Sequence, residues 1–356
     1  MPTAMDAIRY AGANAGVRAL SAQLLDEATW RELIGAENLQ RVLVVLAETA
    51  YAESVTGVEQ EAYPLQQIER RLSGQAARRV RQVMTFVRGA VKELLIVWWR
   101  HFELENLKSV FRGVAQGLDP EVIQRFLIPL GAESRLPWGS LVHERSVSSL
   151  VERTAGTHYI NPLRNALPAY EREGSIFAIE VALDIRYYRD LDAAIGHLKG
   201  QDYADARMLL GTHIDMLNIL WAFRYRVYYG LSPEEIVNYT LWHGIRTDIE
   251  LIRRIALGAT PEEILTEIWP IAHLDLSSLA ELDDARKLPE LENILLAYWR
   301  KLASAAMRGY PFRLAALLGY LILQELEIQD LVTLLEGKAM GWTDDRIERQ
   351  LIRSRG

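Results

Sequence analysis

The chain has no cysteine. That absence excludes disulfide bonds, thiolate nucleophiles and cysteine-ligated zinc, and it fits a reducing compartment. Long hydrophobic runs are missing too. The longest, such as residues 314–323, reach about half of the roughly 20 residues that a membrane-spanning helix needs. The opening MPTAMDAIRYAGANAGVRALSAQLL has no basic region followed by an apolar core, so no secretory signal is expected. There is no basic surplus: 40 Lys and Arg face 47 Asp and Glu, a net charge of −7, which argues against nucleic acid as a partner. The seven histidines form no HExxH and no pair four apart, so no zinc site is expected. Gly337-Lys338 lacks the upstream glycine of a phosphate-binding loop. No cofactor, metal or small-molecule substrate is implied.

Strand-like alternation of polar and apolar residues is also absent, and the chain reads as all-α. Apolar residues recur at three- and four-residue intervals over residues 80–111, which predicts an amphipathic helix. Residues 209–229 are apolar on all sides and predict a helix buried in protein. Half of the residues are hydrophobic, enough to bury a large core.

Three stretches repeat one pattern: HFELENLKSVFRGVAQGLDPEVIQ from His101, THIDMLNILWAFRYRVYYGLSPEEIVN from Thr212, and QELEIQDLVTLLEGKAMGWTDDRIER from Gln324. Each runs acidic residue, two spacers, Asn or Asp, an apolar helical stretch, Gly, an apolar residue, a capping residue and a new helix. Measured from Gly117, Gly230 and Gly341, the pairs Glu103/Asn106, Asp215/Asn218 and Glu327/Asp330 fall into register, with one extra residue in the middle copy. Such self-similarity predicts repeated architecture, here three related helical units over residues 1–131, 132–256 and 257–356. Linkers are expected at residues 131–139 and 270–289, and residues 200–205 read as a loop.

The turn has a physical explanation. Gly117, Gly230 and Gly341 can adopt the left-handed conformation that closes a helix. Ser232 then caps the next helix, Pro233 takes a position where no amide is needed, and Glu235 completes a capping box. Asp119 with Pro120, and Thr343, repeat that logic.

Residues three apart share one helical face, so Asp215 and Asn218 can meet a common partner. A buried carboxylate requires Arg, Lys or backbone amides; Arg224 and Arg226 join this candidate network. On this reading Asp215→Ala orphans a buried cation at a cost of roughly 3 to 5 kcal/mol. General acid–base catalysis by Asp215, His213 or Glu103 is the alternative, weakened because a catalytic site is seldom built three times in one chain. The acidic run Asp344-Asp345-Arg346-Ile347-Glu348 has the look of a magnesium motif, but helix capping explains it without a metal. The basic run Arg70, Arg71, Arg78, Arg79, Arg81, Arg88 and Lys92 is either a solvated helix face or a surface for an acidic partner or anionic lipid.

The middle unit, with MLLGTHIDMLNILWAFRYRVYYGLSPEEIVNYTLWHGI, resembles the C subunit of V-type and archaeal-type ATP synthases, known in eukaryotic vacuolar enzymes as the d subunit. The opening YAGANAGVRAL is similar at Tyr10, Asn14 and Arg18 and departs at Gly16, where the family commonly carries Arg. The resemblance implies three helical units around a pseudo-threefold axis, forming a funnel. It implies a non-catalytic central-stalk component on the cytoplasmic side of a membrane, whose partners are the central shaft subunits and the membrane rotor ring, in a complex that moves protons or sodium ions. The basic helix of Arg70 to Arg88 and the turns after Gly117, Gly230 and Gly341 are the candidate partner surfaces. An α-helical scaffold of another assembly shares the same repeat logic.

Overall fold

The computed structural model describes residues 4–58, 63–131, 134–241, 244–269, 274–279 and 282–355. Parts of both candidate linkers, and His243 and His273, lie outside them. Among the described residues the protein is all-helical, without strands, and no helix is long and apolar enough to cross a membrane. In chain order the helices are α1 (Ala4–Ser21), α2 (Glu27–Ile34), α3 (Leu39–Leu46), α4 (Ala52–Val55), α5 (Pro64–Met84), α6 (Gly89–Ala115), α7 (Pro120–Arg125), α8 (Trp138–Leu141), α9 (Val147–Arg153), α10 (Ile160–Glu173), α11 (Phe177–Gly196), α12 (Gly200–Ala206), α13 (Thr212–Val227), α14 (Pro233–Asn238), α15 (Ile249–Ala256), α16 (Pro261–Ile268), α17 (Asp284–Arg308), α18 (Leu314–Ala339) and α19 (Asp344–Gln350). They form two compact units, one of Met1–Val45 with Ile195–Gly356, the other of Leu46–Ala194.

In the unit of residues 46–194, α5 packs on α6. The helix expected over residues 80–111 is two helices, not one. After Met84 the chain tightens into a turn, with the Thr85 and Phe86 amides donating to Gln82 and Val83 carbonyls, and Gly89 takes φ +59. Val83, Val87 and Val91, before, within and after that kink, are buried. A polar seam joins α6 to α11: Lys108 Nζ lies 2.6 Å from Asp184 and 3.1 Å from Glu105, and Arg112 pairs with Glu180. Burial pushes the Asp184 carboxyl upward, against the pull of Lys108.

In the other unit, α17 and α18 form the most extensive helix pair. The linker expected over residues 270–289 ends earlier than foreseen. The carboxylate of Asp283 accepts from the Arg286 amide and starts α17, so Pro289 lies within that helix. Residues 200–205, expected as a loop, are helix α12. Its acidic residues are buried, not solvated: Asp202 accepts 2.7 Å bonds from Tyr10 and Arg9 of α1, and Asp205 accepts from Arg313 and the Ala315 amide at the start of α18. Tertiary partners override a polar local sequence here. The apolar stretch from Leu209 begins in a π-helical turn, Arg207–Gly211, and the indole of Trp299 donates to the Leu209 carbonyl at 2.9 Å.

Gly319 sets the spacing of α17 and α18. A Cβ there would stand 2.7 Å from the Ala303 carbonyl oxygen and 3.1 Å from Met307 Cγ. A backbone atom cannot step aside without moving its helix. Gly319→Ala is therefore expected to cost about 2 kcal/mol through overpacking; an unchanged midpoint in thermal unfolding contradicts that close approach.

Candidate functional site

The three repeated segments build the same local device. In each, a buried long helix (α6, α13, α18) ends at a glycine with positive φ: +67 at Gly117, +58 at Gly230 and +69 at Gly341. The next residue's amide reaches back to close the helix. Leu118 donates to the Gly113 carbonyl and Trp342 to the Gly337 carbonyl, both at 2.9 Å, while Leu231 donates to Tyr225 at 3.2 Å, one residue further back. The extra residue of the middle copy is absorbed there. A short helix follows (α7, α14, α19). Ser232 and Thr343 cap it with their side chains, and Ser232 with Glu235 forms a complete capping box. Asp119 differs: it holds the capping backbone conformation, but its side chain accepts no capping bond. Ile123, Ile236 and Ile347 on the short helices are buried. Gly113 and Gly337 admit two of them, since a Cβ would stand 2.5 Å from Ile123 and 2.9 Å from Ile347.

The Asn or Asp of each long helix then clasps the chain as it leaves the short helix. Asn106 accepts from the Ile128 amide at 2.7 Å and donates to the Ile128 carbonyl at 2.9 Å. Asn218 makes the same two bonds to Leu241, at 2.7 and 2.9 Å, and donates a further bond to Thr247 Oγ1 at 2.8 Å. Asp330 accepts from the Ile352 amide at 2.6 Å and the Arg353 amide at 3.1 Å. Ile128, Leu241 and Ile352 occupy one register, each eleven residues past its turn glycine.

The acidic partner one turn earlier holds the next segment. Glu103 accepts from the Ser134 hydroxyl and the Arg135 amide, and burial raises its carboxyl above the ordinary range despite them. Asp215, fully buried, accepts from the Arg246 amide at 3.1 Å, the Thr247 amide at 2.9 Å and the Thr247 hydroxyl at 2.7 Å. Glu327, half-buried, accepts from the Leu25 amide at 3.0 Å. No cation meets Asp215 in these bonds. Its partners are backbone amides and a hydroxyl, which corrects the expected orphaned-cation reading. Gly244 is required beside it: a Cβ there would stand 2.3 Å from Asp215 Oδ1 and 2.2 Å from Thr247 Oγ1.

The other predicted residues separate from this set. Arg224 is half-buried, 3.4 Å from an equally half-buried Glu292, and pairs with that carboxylate and not with Asp215 or Asn218. Arg226 donates instead to the Ile255 and Ala259 carbonyls at 2.6 and 3.0 Å, tying down the C-terminal end of α15. Sequence reasoning missed its counterpart Lys338, which donates to the Ile34 and Ala36 carbonyls, both at 2.6 Å, and to Asp344 at 2.7 Å. The basic run is partly spent on the fold. Arg70 donates to the Leu127 carbonyl and Arg71 to Thr56, Arg79 donates to Gln82, Arg78 lies 3.7 Å from an exposed Glu53, Arg81 is half-buried, and Arg88 is exposed at the start of α6.

An open cleft of about 1320 Å³ lies among α17, α19, residues 274–279 and Leu282, lined by Asp275, Glu290, Tyr298, Lys301, Arg349 and Arg355. Its Arg355 and Glu290 pair with each other, which holds Glu290 below the ordinary carboxylate range against burial. Neither Glu103, Asp215 nor His213 lines it. The His213 ring stacks on Trp299 at 4.1 Å. Among the described residues no group of three His, Asp or Glu stands together as a metal site.

Comparison with known proteins gives one consistent result. A family profile described as ATP synthase (C/AC39) subunit matches residues 13–350. The C subunit of the A-type ATP synthase of Methanocaldococcus jannaschii is 25% identical over 350 residues, covering 98% of this chain and 87% of the relative. The protein of that name from Haloquadratum walsbyi is 25% identical, covering 95% of this chain and 96% of its own length. That from Archaeoglobus fulgidus is 24% identical, covering 95% and 94%.

Proposed function

The chain belongs to the ATP synthase (C/AC39) subunit family, and from that premise we propose that it is the non-catalytic central-stalk component of a rotary V/A-type ATPase or ATP synthase. In this reading it couples rotation of the shaft to rotation of the membrane ring, from the cytoplasmic side, as three related helical units arranged as a funnel. The observation that carries the non-catalytic part is the occupation of the candidate acids. Glu103, Asp215 and Glu327 each hold a backbone amide, and none of them lines the open cleft, where a substrate would meet them. A rotary coupler needs stiffness, and close-packed interiors transmit strain. Side chains that clasp backbone across 22 or 23 residues fix the angle at which each segment leaves its helix.

The proposed contact surfaces are the three glycine turns and the basic helix. The turns carry exposed apolar side chains: Leu118 at 41% exposure, Tyr229 at 50% and Met340 at 67%. Exposed apolar groups of this size are candidates for burial against a partner, and Arg78 and Arg88 supply exposed positive charge. The test is reconstitution. Membrane vesicles carrying the complex rebuilt without this chain are expected to hydrolyse ATP but build no ion gradient, and adding the chain restores pumping. Full pumping in its absence refutes the coupler. Recovery of the tagged chain from native membranes with neither shaft nor ring proteins favours a scaffold of another assembly instead.

A further inference from the structure

Helices α2 and α3 reproduce α15 and α16 without insertion or deletion. Their bounds are offset by 222 residues at all four ends: 27 and 249, 34 and 256, 39 and 261, 46 and 268. The caps coincide. Asp26 accepts from the Thr29 amide as Asp248 does from Leu251, and Asn38 accepts from the Arg41 amide as Thr260 does from Glu263. The buried positions coincide as well: Trp30 with Ile252, Leu33 with Ile255 and Val42 with Ile264.

Their bonds to the long helices correspond, at the same offset for the amide and within one residue of it for the carbonyls. The amide of Thr247 bonds Asp215 of α13, and the amide of Leu25, 222 positions earlier, bonds Glu327 of α18. Arg226 of α13 holds the carbonyls that end α15, and Lys338 of α18 holds the carbonyls that end α2. Arg353 adds a cation over the Trp30 ring at 4.5 Å and a pair with Glu27. We propose that residues 25–45 are the closing segment of the third repeat, held as a strap from the far side of the sequence, and that the fold opens there first.

The physical reason lies in connectivity. Segment α15–α16 is joined to α14 by the ten residues 239–248, so after any excursion it remains at high local concentration and closes again. The short tether of segment α2–α3 is residues 22–26, which lead to α1, and α1 is held on α18 by packing and not by a short stretch of chain; the bonds to Glu327 and Lys338 span 302 to 304 residues of sequence. Its closure depends on those bonds, on the docking of α1 against α18 and on the sockets of Trp30 and Leu33. Regions of low local stability open independently of the global transition.

Hydrogen–deuterium exchange on the full chain tests this. Amides of 27–45 are expected to exchange faster than those of 249–268 in the unaltered protein. Lys338→Met keeps the buried stem but removes both carbonyl bonds, and is expected to raise exchange at 27–45 by about tenfold or more while 249–268 holds its rate. Glu327→Leu, which removes the acceptor of the Leu25 amide, gives the same pattern if Lys338→Met yields too little folded protein. Equal rates for the two segments in the unaltered protein, or a rise in both together in the variants, overturns the proposal.

Discussion

Asp215→Ala is expected to lower the unfolding free energy by about 5 kcal/mol, because it strands three donors at once, two of them buried. The carboxylate accepts from the Arg246 amide, the Thr247 amide and the Thr247 hydroxyl. An unsatisfied buried donor costs about 1 to 3 kcal/mol, more when its lost partner was charged. The packing around the carboxylate is close: one carbon added at Gly244 would overlap it. Asn218 suffers too: it donates to the same Thr247 hydroxyl, so the loss spreads to the clasp on Leu241. Asp215→Asn is expected to be milder, keeping one acceptor while aiming an NH2 group at an N–H. Urea unfolding followed by circular dichroism measures both; a loss below about 1 kcal/mol for Asp215→Ala contradicts the account.

The repeat was legible because its elements are local. A turn glycine, a cap and an acidic residue three before Asn lie within one or two helical turns, and each leaves a residue-type signature. The partners were not legible. Ile128, Leu241 and Ile352 contribute backbone groups, which any residue could supply, so nothing in the sequence marks them. The same reason explains why a cation was expected opposite Asp215. Charge pairs are visible in a sequence, and amides are not. Residues 200–205 failed in the opposite direction: they read as a loop, whereas Tyr10, Arg9 and Arg313 bind Asp202 and Asp205 within a helix. Leu25, 302 residues from Glu327, lies beyond any pattern read along a window. The gathering of Met1–Val45 with Ile195–Gly356 into one compact unit has the same origin, in contacts that sequence order hides.

The third clasp differs from the others in one atom type, and pH should expose the difference. Asn106 and Asn218 are neutral; Asp330 is ionisable, and burial pushes its carboxyl up to about 6, against the pull of the Ile352 and Arg353 amides and the Arg353 and Arg300 charges. In the unfolded chain the same group titrates near 3.8. Between those values the folded protein holds a proton that the unfolded chain has released, so stability falls as pH rises. The contribution is fully present below about pH 4 and is lost by the time pH has passed through 6. A separation of about two units is worth about 3 kcal/mol. Other carboxylates titrate in the same range, several in the opposite sense, so the quantity to measure is the difference from Asp330→Asn. That variant restores the neutral clasp of the other repeats, accepting from the Ile352 amide while presenting a donor to its carbonyl. The unfolding free energy of the unaltered protein minus that of Asp330→Asn should fall by about 2 kcal/mol from pH 4 to pH 6.5, in urea titrations at fixed ionic strength. A flat difference means that the carboxyl is not raised, and a rising one means that Arg353 and Arg300 outweigh burial.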